Sequence, residues 1–331
     1  MPKLGRNTLL FLVPPGLMVL CWGVAQLLPF TDPWTVAIGS TLLTAPRWCW
    51  LLYAWWGIRT TLLRKRPGLP LVLGLVATLM AGIPLGGEDS PDLKVATANV
   101  NYYARGELAD LTRSLHNLHA DVLLVLEGRA EEIPGMVLVG DNRGPDLPQK
   151  SRAAQVYCRE GLQCQSLITP LQGKGRCTMP IALTAVEGAL CFVGVHSPPP
   201  VPYCVEGQIP YLEGVADHLQ DGKLRAAWGP CEEGWPVILA GDLNAVPGSP
   251  PFEIMTRAGL RDFLPSWMGI WSATWPNGGG WPKAPFFRID HLLAGGGLRL
   301  HGFRYASIDG SDHRAVVSHL TWPRSPLQGV E

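Results

Sequence analysis

Long, almost unbroken apolar runs fill the first quarter of the chain; beyond residue 92 they give way to short apolar runs with period-two or period-3.6 spacing. Three of the long runs stand out: Leu9 to Phe30, Thr35 to Ile58 and Leu69 to Leu85. A bilayer core of about 30 Å needs roughly 20 helical residues, so residues 1–86 are expected to be a membrane anchor of three transmembrane helices. Arg47, after Pro46, interrupts the second run and must face other helices or break the span. A cleaved signal peptide would account for Lys3 and Arg6 before the first run, but not for the two runs that follow. Residues 87–92 (Gly-Glu-Asp-Ser-Pro-Asp) read as a linker, 93–323 as one globular domain and 324–331 as a tail.

Within the globular part, Leu93 to Ala98 reads as a strand. Leu108, Leu111, Leu115 and Leu118 then mark one face of a helix, and Val122 to Leu126 is an unbroken apolar run, as in a strand covered on both faces. Further strands are expected at Ala153 to Tyr157, Ile181 to Val186, Leu190 to Val195, Val237 to Ala240, Ile289 to Leu293, Leu298 to Tyr305 and Ala315 to Leu320. Helices are expected between Gln208 and Trp228 and between Pro251 and Ala258, and the Gly/Pro-rich stretch Trp275 to Pro285 reads as a long surface loop. Strands interleaved with helices give the α/β class.

Charge refines this picture. Lys3 and Arg6 precede the first run, the first loop carries Asp32 and no Lys or Arg, and the second loop carries Arg59, Arg64, Lys65 and Arg66. Positive loops stay in the cytoplasm, so with three spans the globular domain is expected outside it, periplasmic or extracellular. The six cysteines of that domain, Cys158, Cys164, Cys177, Cys191, Cys204 and Cys231, suit an oxidising compartment, though sequence leaves their pairing open. From residue 90 onward 20 Lys/Arg face 24 Asp/Glu, a net charge of −4. No strong basic footprint for nucleic acid is present.

Polar, metal-capable residues stand where apolar strands stop. Asn99 follows Val95 to Ala98, Glu127 follows Val122 to Leu126, His196 follows Cys191 to Val195, and Asp242 and Asn244 follow Val237 to Gly241. Each alone has a plain structural explanation: an Asp-x-Asn after a strand is ordinarily a turn, a lone Glu there a solvated terminus, and Asp290-His291 a local pair. Together, in packed sheets, they would converge on one rim.

The ordered markers Ala98-Asn99-Val100, Leu126-Glu127, Val195-His196-Ser197, Gly241-Asp242-Leu243-Asn244, Ile289-Asp290-His291 and Ser311-Asp312-His313 resemble those of the endonuclease/exonuclease/phosphatase superfamily over residues 93–321. The resemblance implies a four-layer α/β sandwich, two mixed sheets face to face with helices outside, following the transmembrane helices. It also implies hydrolysis of a phosphodiester or phosphomonoester by activated water with Mg²⁺, or Mn²⁺ in its place. Glu127 would be the leading metal ligand, with Asn99 and Asp312 supporting it. Asp242 would position or deprotonate the water, and Asn244 and His196 would contact the phosphoryl group. His313, oriented by Asp290, would bind or protonate the phosphate.

Two departures from the family pattern concern substrate contacts. No Arg follows His196 before Arg225, and the tyrosine some relatives use near the phosphate has only Tyr102, Tyr103 and Tyr157 as candidates. The substrate would be a nucleic acid or a lipid or sugar-phosphate head group; the oligomeric state is left open. The alternative from another class is a catalytically silent, membrane-anchored binding protein on the same fold.

Overall fold

The computed structural model describes residues 20–21, 23–28, 32, 34–44, 93–101, 107–128, 132–142, 153–172, 178–202, 204–220, 229–264, 272–277 and 285–321. Most of the three apolar runs, the linker and the tail lie outside the described residues. Residues 23–26 and 34–44 are helical, and no described helix is long and apolar enough to cross a membrane.

The globular part holds eleven strands and three helices among the described residues: β1 (Leu93–Asn99), α1 (Leu108–His116), β2 (Val122–Leu126), β3 (Met136–Asp141), β4 (Ala154–Arg159), β5 (Cys164–Gln172), β6 (Thr178–Val186), β7 (Leu190–His196), α2 (Val205–Gln220), β8 (Val237–Asp242), α3 (Pro250–Arg257), β9 (Asp290–Ala294), β10 (Arg299–Ser307) and β11 (Arg314–Thr321). One sheet runs β10-β11-β1-β2-β4-β3 and the other β5-β6-β7-β8-β9. Both are mixed, because β1 with β2 and β7 with β8 are parallel and the remaining pairs antiparallel. Each parallel pair needs a crossover, supplied by α1 and α2.

Period two along the strands builds the layers. In β8, Ile238 and Ala240 point between the sheets, where they meet Leu124, Val156 and Phe192. Val237 and Leu239 point outward onto Tyr211 and Leu212 of α2 and Met255 of α3. On the opposite outer face Leu111 and Leu115 of α1 cover Ala96, Leu123 and Val125. The order helix, sheet, sheet, helix is the α/β sandwich expected from the sequence.

Differences from the expected elements have local causes. β3 is a half-exposed edge strand with Gly140 within it, and β5 carries Gln165, Ser166, Thr169 and Pro170, so neither showed an apolar run. Leu118 packs in the core although α1 ends at His116. α2 begins at Val205 and carries Pro210 in its second turn. Of the described residues of the expected surface loop, Asn277 is buried and Trp275, Pro276 and Pro285 are half-buried.

Two disulfides tie this sandwich, Cys158–Cys164 across the β4–β5 connection and Cys191–Cys231 across the β7–β8 crossover; Cys204 is also disulfide-bonded. The second closes a loop of 40 residues, for which the chain-entropy account gives about 4 kcal/mol. Cys191→Ala with Cys231→Ala is therefore expected to lower unfolding free energy by roughly that amount, read from the urea midpoint.

Candidate active site

Topology gathers the site on one rim. Parallel pairing sets the carboxyl ends of β1 and β2 side by side, Asn99 opposite Leu126, and those of β7 and β8, His196 opposite Asp242. Antiparallel β9 begins where β8 ends, so Asp290 lies opposite Asp242. Antiparallel β11 begins beyond the end of β1, which brings Ser311, Asp312 and His313 to the same rim, and Ser311 Oγ donates to the Asn99 carbonyl at 2.6 Å.

Gly241 makes one of these approaches work. Its φ is +142°, and a Cβ there would lie 1.8 Å from the Val195 carbonyl oxygen, so any side chain would force β8 off β7 just before Asp242. Asn101, Glu127 and Asn244 all hold positive φ, near +50°. Asn tolerates that region; for Glu127 it stores about 1–3 kcal/mol of backbone strain at the site.

Asn99 binds two carboxylates at once, its Nδ2 donating to Glu127 Oε1 and Asp242 Oδ2, each at 3.2 Å. His196 Nε2 stands 3.7 Å from Glu127 Oε1 and 3.9 Å from Asp242 Oδ2. The other Asp242 oxygen accepts the Asn244 backbone N–H at 2.7 Å, and Asn244 Nδ2 donates to the Ser197 carbonyl at 3.0 Å. The Asp-x-Asn segment is thus the turn its composition suggests, folded so that its carboxylate enters the cluster. Gln208 of α2 locks the segment from behind by donating to the Leu243 and Asn244 carbonyls.

Asp290 Oδ2 accepts from His313 Nδ1 at 2.9 Å, while Asp312 takes a hydrogen bond from Asn101 Nδ2 at 2.8 Å and one from Trp275 Nε1 at 3.1 Å. Asp312 Oδ1 lies 3.9 Å from His313 Nε2. The structure therefore places Asp312 beside His313, whereas Asn99 and Glu127 sit together with Asp242. Asp242, Asp290 and His313 are all buried and present ligand atoms within 4.8 Å of one another, and Asp290 Oδ1 is buried without a hydrogen-bond partner among the described residues. Hard oxygen donors with one imidazole suit a divalent cation.

Burial raises the Asp242 carboxyl, the charge of Asp290 raises it further, and it reaches about 8 against the opposing pull of His313, the Asn244 N–H and Asn99. For His313, burial alone would depress the imidazolium, but Asp290 by charge and hydrogen bond, with Asp242 and Asp312, raises it to about 10.

Glu127, His196, Asp242, Asn244, Trp275 and His313 share one cavity of about 660 Å³. Asn101 and Ser311 were not among the residues expected from sequence to act here. Asn101 repeats Asn99 at a spacing of two and could have been noticed, whereas Trp275 reaches the site only because its loop folds inward. Asp290 and His291 part company: His291 donates to the Ala245 carbonyl and packs on Phe252, with its pKa held low by burial and then by Arg288. Tyr157 is buried in the layer under α1, its hydroxyl accepting from Gln155, and does not line the cavity. Tyr102 and Tyr103 lie outside the described residues.

The sequence profile described as the Endonuclease/Exonuclease/phosphatase family matches residues 96–313. The chain belongs to that family. Among solved structures it is similar to a functionally unknown conserved protein from Enterococcus faecalis V583, with 14% identity, TM-score 0.52, and 70% of this chain and 100% of that one covered. It is also similar to an endonuclease/exonuclease/phosphatase from Beutenbergia cavernae DSM 12333 (19% identity, TM-score 0.48, 70% and 72% covered) and to beta toxin from Staphylococcus aureus with bound magnesium ions (14%, 0.48, 69% and 99%). Among curated proteins no sequence matches it. Family membership accounts for the ordered markers: the span from Ala96 to His313 begins just before Asn99 and ends on the last candidate site residue.

Proposed function

We propose that this member of the endonuclease/exonuclease/phosphatase family hydrolyses a phosphodiester, or a phosphomonoester, with water as the nucleophile. The observation that carries this reading is the shared cavity in which buried Asp242 meets Asn99, Asn244 and the Asp290–His313 pair. Water adds to phosphorus, the bond from phosphorus to the leaving oxygen breaks, and the water's proton passes to Asp242. A carboxylate tuned close to neutral pH is suited to that transfer. His313, charged and fixed through Nδ1 by Asp290, neutralises the phosphoryl oxygens and presents its Nε2 proton toward the substrate. Asn244 and His196 hold the phosphoryl group.

Mg²⁺, or Mn²⁺ in its place, would be held by the carboxylates of Glu127 and Asp242, which Asn99 Nδ2 orients by donating to both and whose oxygen donors suit a hard cation. Bound there, it would lend positive charge to the phosphoryl oxygens and acidify water. Asp312 would act through His313 and Trp275 rather than as a ligand. Membrane anchoring by the apolar runs within residues 1–86, apart from residues 34–44, which pack on the domain, is supported by those runs, and a domain outside the cytoplasm by the placement of Lys and Arg and the disulfides; a reporter fused after Glu331 that is active only in the cytoplasm would refute it.

Hydrolysis of bis-p-nitrophenyl phosphate in Mg²⁺ is expected to stop in EDTA and to fall at least about 100-fold in Glu127→Ala and in His313→Ala. Turnover that survives all three sinks the mechanism. Phosphate binding without any turnover would instead favour the silent binding protein.

A further inference from the structure

The site cavity has a second wall that the family segment does not supply. Val36, Ala37, Ser40 and Thr41 of the helical residues 34–44 line it, across from Glu127, Asp242 and His313. These residues lie some 50 positions before β1 and outside the matched span 96–313. Their seat on the domain is specific: Val36 packs against Val205 at the start of α2, with Leu28 and Leu43 beside it, and Gln26 Nε2 donates to the Gly248 carbonyl at 2.8 Å.

The cavity is divided by chemistry. Its floor is the carboxylate and imidazole cluster; its sides include Val36, Ala37, Met179, Val201, Val246 and Phe287. No Lys or Arg lines it among the described residues. A polynucleotide track requires cations spaced along the backbone, whereas an apolar wall within reach of a phosphoryl site matches a molecule with a hydrocarbon chain close to its phosphate. Trp34 and Ile38 of the same segment are exposed apolar residues, Trp34 at 78%.

We infer that helical residues 34–44 complete the substrate site, and that their apolar wall selects amphiphilic phosphoesters, those bearing an alkyl chain next to the phosphate, over polynucleotides. This rests on the phosphoester reading of the polar floor. Ala37 and Thr41, one helical turn apart and both exposed in the cavity wall, are specificity-determining positions.

The test uses the full chain and two readouts. Turnover is compared for methyl, butyl and hexyl p-nitrophenyl phosphate and for a single-stranded oligodeoxynucleotide; binding is compared for methylphosphonate and hexylphosphonate, which cannot be hydrolysed. From methyl to hexyl, kcat/KM and affinity are each expected to rise about 50-fold, as for burial of some three methylenes. Ala37→Glu and Thr41→Glu are each expected to collapse that ratio toward one, while Val137→Glu, on the exposed edge strand β3 outside the cavity, keeps it. Equal turnover and binding along the series, or faster cleavage of the oligonucleotide than of the hexyl ester, overturns the inference and leaves the hydrolase reading standing. Should no ester be turned over while hexylphosphonate still binds better and Ala37→Glu removes the gain, the hydrolase reading falls and the inference holds.

Discussion

Asp242→Asn is expected to lower kcat on bis-p-nitrophenyl phosphate by about 10²–10⁴-fold, and yet to make the metal-free protein more stable above neutral pH. The activity loss follows from geometry: the carboxylate stands at the centre of the site, and an amide in its place cannot take a proton from water. One amide face would also set an N–H against the Asn99 Nδ2 or the Asn244 N–H, both of which now donate to Asp242. The stability gain follows from linkage. In the unfolded chain this carboxyl releases its proton near its ordinary value of 3.8, but in the fold it keeps it to about 8. Between those values the folded state binds more protons, so stability falls as pH rises through that window. The variant removes that dependence. Parallel melts at pH 5 and 8.5 measure it; a variant that melts lower than the parent at pH 8.5, or that retains full activity, refutes the account.

The second large effect is expected from Asp290→Asn. Asp290 is the first cause that raises His313, by charge and by the 2.9 Å bond to Nδ1. Without it burial prevails and the imidazole becomes neutral at lower pH. In the metal-free parent, His313 should titrate near 10; in the variant its signal in an imidazole nitrogen correlation spectrum should titrate several units lower. The sign for stability is that of a raised histidine. The pair's contribution is complete below about 6.5 and is lost as pH rises through about 10, so the parent should lose stability over that window and the variant should not. Activity at neutral pH should fall by about 10²-fold or more, because the site loses its imidazolium and the carboxylate that orients the ring. An unmoved His313 titration would remove Asp290 from this role.

These outcomes depend on residues whose place in the site was legible to different degrees. Asn99, His196 and Asp242 end buried strands and Glu127 follows one, and a strand's end is readable because apolar side chains stop there. Ser311, Asp312 and His313 precede a strand, and only the antiparallel pairing of β11 with β1 shows that this position belongs to the same rim. Asp312 has a carboxyl that suits a metal, and its partners Asn101 and Trp275 appear only in the fold. Which partner a carboxylate takes depends on distances that spacing along the chain does not encode.

By itself the amino-acid sequence determined the class of fold and the polar residue types that stand at the strand ends, because apolar periodicity and the order of polar residues at strand ends are local properties. Tertiary structure decided the edge strands β3 and β5, the separation of Asp290 from its neighbour His291, and the seating of residues 34–44 on the cavity. Those outcomes depend on strand pairing and on packing between segments far apart in the chain, and such contacts have no period that a local reading can detect.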